Sequence, residues 1–383
     1  MAVMTPKERS DRAHVVTQGI AGIVVCMGAR ALVMGGTKTV FTSALLGVGT
    51  ALAGAPLVPI CFGIGAAVIW VNWQKDRVAK EYKVTEADVQ GWRVLLGVTT
   101  WGRKVYHDFD AIPHTKIGGV TGSGKTKAIE LILGQVIREK TAHEVEIHII
   151  DMKGGASFSH FRDLPQVAGR VYAGVEEALK ALKEIHEDMN ARLAVVREER
   201  ARFKPITKFK RILLVVDEGG ELSPAYAHND EDEALRKSCL AHLKAIASIG
   251  REPRVSIVYG TQRPSNETLP TSIRGQMDAT MAYRTQDELD SNILLRNEYA
   301  AHLKNIKGRM IYQTPDGERE VQTGYIPDDV LQEWIEEQSL PEGFWNVPPG
   351  DVRISDEDEN VTARNDGDGA VVKQIDVPRD LEW

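Results

Sequence analysis

The residues with the clearest chemical meaning form the stretch Gly119-Val120-Thr121-Gly122-Ser123-Gly124-Lys125-Thr126. Its spacing fits G-x-x-x-x-G-K-[ST], the pattern of a loop that binds nucleotide phosphates. The glycines let successive backbone N–H groups turn toward a phosphate, and the helix that follows adds its positive amino end. Lys125 can then reach the β- and γ-phosphate oxygens, and the Thr126 hydroxyl can bind Mg²⁺. The stretch therefore predicts a site for ATP with Mg²⁺.

A second group of residues that could take part in catalysis follows an apolar stretch. Residues 212–216 are apolar, and Asp217 and Glu218 come directly after them. Parallel strands bring their carboxyl ends to one edge of a sheet, so acids at this position can meet a bound nucleotide. Asp217 can hold a hydrated Mg²⁺, and Glu218 can orient and polarise an attacking water. Acids commonly end strands, and the position about ninety residues after a phosphate loop is what favours a hydrolytic role.

A third group, Tyr259-Gly260-Thr261-Gln262-Arg263-Pro264-Ser265, follows the next apolar stretch. A polar side chain at the end of that strand could contact the γ-phosphate and report its presence. On the residues alone, an ordinary turn after a strand explains the pattern equally well.

The segments around these groups alternate between strand and helix patterns. Such alternation, with at least one continuously apolar strand, predicts an α/β fold of the P-loop (RecA-like) kind, a mostly parallel sheet with helices on both faces. The predicted strands are 111–117, 145–150, 212–216, 255–259 and 278–283, the predicted hairpins lie within 92–109 and 310–324, and the predicted helices are 125–139, 175–203, 231–249 and 327–338.

The amino-terminal part of the chain is apolar, and residues 39–72 include no charged side chain. This run exceeds the ~20 residues that cross a bilayer. We expect two membrane-spanning helices, near 14–35 and 48–72; a single long, tilted span is the alternative. Arg30 would reach the interface by snorkelling. Basic residues precede the first span and follow the second, which places both ends in the cytosol.

These patterns divide the 383 residues into four parts. We predict a membrane anchor over 1–75, a juxtamembrane linker over 76–92 with 81–90 helical, a P-loop ATPase domain over 93–340, and an acidic disordered tail over 341–383. The last 33 residues carry ten acidic and four basic side chains and so hold most of the net charge of −7. The nearly neutral remainder leaves room for a local basic channel. Three widely spaced cysteines indicate a reducing compartment.

Six groups of residues together resemble the FtsK/SpoIIIE/Tra family of double-stranded DNA translocases, within the HerA–FtsK branch of P-loop ATPases. The similarity runs from about residue 96 to 326, and the string Thr-Gln-Arg-Pro-Ser is much more specific to the family than the phosphate loop. The groups are Pro113-His114, the phosphate loop, Ile150-Asp151-Met152-Lys153-Gly154-Gly155, Val215-Val216-Asp217-Glu218, Thr261-Gln262-Arg263-Pro264-Ser265 and Gly308-Arg309-Met310-Ile311-Tyr312.

The resemblance implies a membrane-bound hexameric ring with its ATPase domain in the cytoplasm, ATP bound between subunits, and double-stranded DNA in the central channel. By match to the family pattern, Gln262 would be the polar sensor of the γ-phosphate. An arginine acting on the neighbouring subunit's ATP is also implied. The candidates for it are Arg251, Arg254, Arg274 and Arg284.

The compact organisation resembles the plasmid-transfer proteins of mycelial actinobacteria. Fewer than sixty residues follow Ile326, and we find no pattern of the winged-helix module that chromosome translocases of the family usually carry. This favours conjugative transfer of plasmid or integrative-element DNA, with other transfer proteins as partners. The alternatives are septal chromosome segregation, a type VII secretion-like ATPase, and a nucleotide-binding scaffold without turnover, which Lys125 and Glu218 disfavour.

A basic cluster precedes the Asp217 strand and comprises Lys204, Lys208, Lys210 and Arg211. Contact with DNA phosphates would need such charge. On the residues alone, a solvated helix end is the favoured explanation of the cluster.

Overall fold

The structure is a computed structural model that describes residues 82–339 and two short strands near the carboxyl end. In this part of the chain, no helix combines the length and apolar character needed to span a bilayer. The predicted spans near 14–35 and 48–72 lie outside the described residues. In the tail that we predict to be disordered, Ala363–Asp366 and Ala370–Lys373 pair as antiparallel strands, so for these eight residues the structure differs from the prediction.

A ten-stranded sheet forms the centre of the described domain. Its strands are β1 (Arg93–Thr99), β2 (Lys104–Asp108), β3 (His114–Gly118), β4 (Val145–Asp151), β5 (Val171–Tyr172), β6 (Arg211–Asp217), β7 (Val255–Thr261), β8 (Ala279–Tyr283), β9 (Arg309–Thr314) and β10 (Gly317–Thr323). Their order is β2-β1-β10-β9-β8-β3-β7-β6-β4-β5. The run from β8 to β5 is parallel, which confirms the predicted parallel core. The other four strands extend it in antiparallel fashion.

Helices cover both faces of the sheet, and the alternation of side chains along β6 explains why. Leu213 and Val215 are buried in the core on one face, with residues of the helices Lys125–Glu139 and Asp328–Glu336. Ile212, Leu214 and Val216 are buried on the other face, with residues of the helices Val175–Ala201 and Asp230–Ile249. A strand buried on both faces has to be apolar at every position. The helices are α1 (Lys125–Glu139), α2 (Val175–Ala201), α3 (Asp230–Ile249), α4 (Thr271–Arg274), α5 (Glu288–Leu295) and α6 (Asp328–Glu336).

The sequence locates the principal elements well. Helix α1 has the predicted bounds, and the long helices α2 and α3 start or end within two residues of theirs. The parallel strands are within three residues of prediction. The sequence patterns miss β5, α4 and α5, which are short and have little periodicity of their own.

The predicted helix over 81–90 is wrong. The described residues 82–90 contain no α-helix. Val84 N–H donates to Tyr325 O, and Tyr325 N–H donates to Tyr82 O, so the start of the segment pairs as a strand would. Only Glu86–Asp88 form a 3₁₀ turn in this segment, and the Asp88 carboxylate accepts the N–H of Thr85. Pairing with a distant part of the chain overrides the local helical preference here.

Candidate active site

The phosphate loop connects the buried end of β3 to the first residue of α1. Gly119, Gly122 and Gly124 all have positive φ angles, of 143°, 76° and 119°. A Cβ on Gly119 would stand 2.7 Å from Tyr283 Cβ, so this position has no room for a side chain. The glycines of the pattern are therefore required by backbone conformation, and at Gly119 also by the packing of β8.

Residues next to β8 and β9 hold the loop through backbone hydrogen bonds. The N–H of Val120 donates to the carbonyl of Arg284 at 2.9 Å, and the N–H of Gly308 donates to the carbonyl of Ser123 at 2.9 Å. Gly308 has a φ of 79°, and the Arg309 guanidinium is buried against Gln322. The Gly-Arg pair of the 308–312 group thus supports the loop.

Lys125 is almost wholly buried. Its ammonium donates to the carbonyls of Gly119 at 2.6 Å and Val120 at 3.0 Å. Burial lowers the pKa of Lys125 to about 8, although the Glu218 carboxylate opposes the shift. The lysine therefore lies folded over the loop, with its charged end where phosphates are expected.

Asp217 ends β6 and is completely buried. In the described part of the chain, neither of its carboxylate oxygens accepts a hydrogen bond. Gly260 on the adjacent strand leaves space for it, because a Cβ there would stand 3.1 Å from Oδ1. Burial raises the pKa of Asp217, against the charge of Lys153. Buried carboxylate oxygens without donors fit a hydrated divalent cation, so these residues suit Mg²⁺.

Glu218 has left-handed backbone angles, φ 52° and ψ 44°, which are unfavourable for a residue other than glycine. The residue after it has to be glycine, since a Cβ on Gly219 would stand 2.2 Å from the Tyr259 ring. This turn directs the glutamate toward β7, where Oε2 accepts the backbone N–H of Gln262 at 3.2 Å. Such local strain is common at catalytic positions.

Gln262 joins the phosphate loop to this glutamate. Its side-chain oxygen accepts a hydrogen bond from the Thr121 hydroxyl at 2.5 Å. The loop that carries it is stabilised by Thr268, whose hydroxyl donates to Arg263 O at 2.6 Å and accepts the N–H of Ser265 at 2.9 Å. The serine of the Thr-Gln-Arg-Pro-Ser string therefore shapes the loop that presents Gln262.

Lys153 belongs to the site, although the sequence patterns predict no role for it. Its Nζ lies 3.0 Å from Glu218 Oε1 and 3.6 Å from Asp217 Oδ2. Although partial burial acts in the opposite direction, contacts with Glu218 and Asp217 raise the pKa of Lys153. The signal that could have found it is its place in the 150–155 group, two residues past the end of a strand paired with β6.

The structure gathers the predicted loop residues, Asp217, Glu218 and Gln262 at the carboxyl edge of the parallel strands. The four arginines are dispersed. Arg284 follows β8 beside the loop, whereas Arg251 and Arg254 precede β7 at the opposite edge. Arg254 pairs with Asp110, and Arg274 donates to Thr271.

Two members of the basic cluster have structural partners. Arg211 is buried, donates to Phe109 O and Ser256 Oγ, and pairs with Asp110. Lys210 pairs with Glu146. Lys204 and Lys208 are exposed. Of the four residues in the cluster, Lys204 and Lys208 are therefore the ones that could contact an anionic partner.

A cavity of about 440 Å³ adjoins the loop and is lined by Gly124, Lys127, Gly308, Tyr325 and Pro327, among others. Another cavity of about 530 Å³ lies between the amino ends of α2 and α3. Its lining includes Glu176, Glu177, Glu231 and Asp232, and four acids disfavour a nucleotide there.

Sequence comparison relates the chain to one family of known proteins. Residues 77–297, more than half of the chain, match the model of the FtsK/SpoIIIE family. The chain is 24% identical over 232 residues to the DNA translocase FtsK of Helicobacter pylori strain J99. This alignment covers 58% of this chain and 26% of that protein. It is 25% identical over 260 residues to FtsK of Leptospira interrogans, covering 64% and 26%. The chain thus spans about a quarter of the length of these relatives.

Solved structures share the fold. The conjugation coupling protein TcpA of pCW3, in its monomer form with ATPγS, superposes with a TM-score of 0.58 at 23% identity, covering 68% of this chain and 75% of that one. EssC from Geobacillus thermodenitrificans, ATPases 2 and 3, gives 0.56 at 14% identity, covering 67% and 50%. At these identities the likeness concerns the fold alone.

Proposed function

Because the chain belongs to the FtsK/SpoIIIE family, we propose that it couples ATP hydrolysis to movement along double-stranded DNA. Members of this family are P-loop ATPases. The observation that carries the proposal is the meeting of the phosphate loop, Glu218 and Gln262 at one edge of the sheet. Sequence relatives with the same domain are named DNA translocases.

The chain's own residues supply the parts of the hydrolytic step. Loop N–H groups hold the β-phosphate, and Lys125 exchanges the carbonyls of Gly119 and Val120 for β- and γ-phosphate oxygens. Glu218 accepts a proton from the water whose oxygen bonds to the γ-phosphorus, while the bond from that phosphorus to ADP breaks. Thr126 and Asp217 would hold Mg²⁺, which supplies neutralisation of phosphate charge.

The cavity beside Gly124 and Lys127 suits the rest of the nucleotide. The cavity borders Gly124, directly before the start of α1, so a nucleotide whose phosphates lie on the loop would have room there for its ribose and base. Tyr325 and Pro327 offer apolar surface for a base, and a pocket of this size and character is typical of small-molecule sites.

We infer a ring assembly in which each site is completed by a neighbour. Arg251 is the best placed of the four candidate arginines, since it is exposed and lies at the opposite edge of the sheet from its own phosphate loop. In the part of the chain that the structure describes, it has no ion-pair partner. Arg284 is beside its own loop, and Arg254 is already paired.

The loop between α2 and β6 is our candidate for DNA contact. Phe203 is 98% exposed and has a φ of 55°, next to the exposed Lys204. The turn is held by Glu199, whose carboxylate accepts the N–H of Thr207 at 2.8 Å. A fixed loop that presents an aromatic ring and two lysines suits a polyanion, and backbone contacts alone are enough for translocation without sequence choice.

The test is ATP turnover by the purified chain with linear duplex DNA, single-stranded DNA or no DNA, at fixed salt. We expect duplex DNA to stimulate ATP turnover most. Lys125→Ala should show no turnover and so defines the background rate. Lys204→Ala with Lys208→Ala should lessen the stimulation, whereas Lys180→Ala with Lys244→Ala, an exposed pair on α2 and α3, should not. Turnover indifferent to every DNA would overturn the proposal.

The cellular setting we propose is conjugative transfer from a membrane-anchored position. It is supported by the resemblance to compact plasmid-transfer proteins and by the apolar run over 39–72. A donor cell carrying Lys125→Ala should lose transfer of a marked element and keep normal chromosome partition; the septal alternative predicts the reverse. Two spans place Gly36 outside the membrane, so a topology reporter fused there should read external, and a cytosolic signal would contradict them.

A further inference from the structure

Lys153 occupies a position between the two acids of the site. Its ammonium is 3.0 Å from Glu218 Oε1 and 3.6 Å from Asp217 Oδ2. Apart from these ion-pair contacts, no hydrogen-bond donor among the described residues meets either Asp217 oxygen or Glu218 Oε1. Lys125 is turned away to the carbonyls of Gly119 and Val120. Lys153 is therefore the cation in close contact with both carboxylates.

The backbone around Lys153 is shaped to hold it there. The buried carboxylate of Asp151 accepts the N–H of Lys153 at 3.0 Å and that of Ser157 at 2.9 Å. Gly154 and Gly155 have φ angles of 83° and 75°, values that other residues rarely adopt. A buried acid and two left-handed glycines thus fix the turn from which the lysine extends.

The charges explain why a cation is needed at this point. Asp217 and Glu218 are adjacent, both buried, and like charges in a buried site repel strongly unless a cation lies between them. Lys153 supplies that cation when no divalent ion is bound. It is nearer to Glu218 than to Asp217, so a divalent ion arriving at Asp217 competes with its weaker contact.

We propose that Lys153 is a positioning residue for hydrolysis, which holds Glu218 toward the attacking water and competes with the divalent cation for Asp217. Glu218 is then fixed at both oxygens, by the Lys153 ammonium at Oε1 and by the Gln262 backbone N–H at Oε2. A carboxylate held in this way keeps one orientation as the water approaches. This inference rests on the proposed ATPase function.

The first readout is the steady-state kinetics of ATP turnover in the full chain with duplex DNA. Lys153→Met should lower kcat by roughly 10- to 100-fold, the range for residues that orient a catalytic group, with KM for ATP little changed. Lys153→Arg keeps the charge and should recover much of the loss. Lys180→Met, the same change on the exposed face of α2, should behave as wild type.

The second readout is Mn²⁺ binding, measured by electron paramagnetic resonance with a non-hydrolysable ATP analogue bound. Removing the competing ammonium leaves two carboxylates for the metal, so Lys153→Met should bind Mn²⁺ roughly threefold or more tightly. A merely structural lysine predicts unchanged or weaker binding. Lys153→Gln provides the same test if the methionine variant does not fold.

The outcomes separate this inference from the proposed function. Wild-type turnover together with a normal kcat in Lys153→Met, or Mn²⁺ binding that does not tighten, would overturn the role of Lys153 alone. A wild-type chain that binds ATP and never hydrolyses it would overturn both.

Discussion

Gln262 and Thr121 are joined by a hydrogen bond of 2.5 Å between their side chains, although 141 residues separate them in sequence. The backbone N–H of the same glutamine donates to Glu218. One residue therefore contacts both the loop that would hold the γ-phosphate and the glutamate that would activate water. We expect a ligand that displaces the Thr121 hydroxyl from Gln262 to shift the position of the Glu218 carboxylate, because the Gln262 N–H donates to it.

Gln262→Ala is expected to lower kcat for ATP by roughly 100-fold, the effect of removing one polar contact to a transferring group. Nucleotide affinity should persist, because the loop and Lys125 are unchanged. Turnover and binding of a fluorescent ATP analogue would be measured side by side. Gln276→Ala, at an exposed position after α4, is the matched control. Loss of binding equal to the loss of turnover would contradict a sensor role.

Glu218→Gln should keep ATP bound and stop its hydrolysis. The amide has the same shape and cannot accept the proton from water, so we expect turnover to fall by roughly 100- to 10,000-fold. Quench-flow analysis of bound nucleotide should find ATP in the variant and ADP in the wild type. Glu267→Gln, at an exposed loop position, should turn over normally. Normal turnover by Glu218→Gln would refute the catalytic assignment.

Mixing two inactive variants tests whether sites form between subunits. Lys125→Ala and Arg251→Ala should each be inactive alone. In a one-to-one mixture about a quarter of the interfaces would pair an intact Lys125 with an intact Arg251, so activity should return. The control mixture is Lys125→Ala with Glu218→Gln, whose defects lie in the same subunit's half of the site. A first mixture no more active than this control would exclude Arg251 as the shared residue.

Two buried histidines predict how stability depends on pH. Burial lowers the pKa of His107 to about 3 and of His114 to about 4, and the charge of Arg211 acts in the same direction. In the unfolded chain both titrate near ~6.5. The unfolded state therefore binds more protons below that value, and the free energy of unfolding, fully present above it, falls as pH drops toward 4.

His114→Gln removes one of these groups. Between pH 7 and pH 4 the variant should lose less stability than the wild type, by on the order of 3 kcal/mol. Urea unfolding of the chain at several pH values measures the difference. Equal losses in the two proteins would mean that His114 is protonated in the folded state.

Local sequence spacing predicted the catalytic residues better than it predicted the residues that position them. The phosphate loop, Asp217 and Glu218 are recognisable because neighbouring residues in sequence act together at a strand end. The role of Lys153 was not predicted, because its partners are more than sixty residues away in sequence. The extended segment at Val84 was mistaken for a helix because its partner, Tyr325, lies at the other end of the domain.

The antiparallel part of the sheet was partly predictable from its hairpins. The turn at Gly317 and the alternation within 92–109 predicted paired strands, and both pairs are present. Their attachment to the parallel core was not predictable from local pattern, since β1 pairs with β10 across most of the chain. Arg211 likewise looked like a surface charge until β6 placed it against Asp110.

Movement of this ATPase along duplex DNA, as we propose it, can be tested by displacement of the third strand of a triplex. A labelled triplex-forming strand is bound at one end of a linear duplex, and its release is followed after addition of the chain with ATP and Mg²⁺. We predict release that needs hydrolysis, with none from Lys125→Ala or Glu218→Gln and a delay that grows with the distance to the triplex. ATP turnover stimulated by duplex without any release of the third strand would contradict translocation.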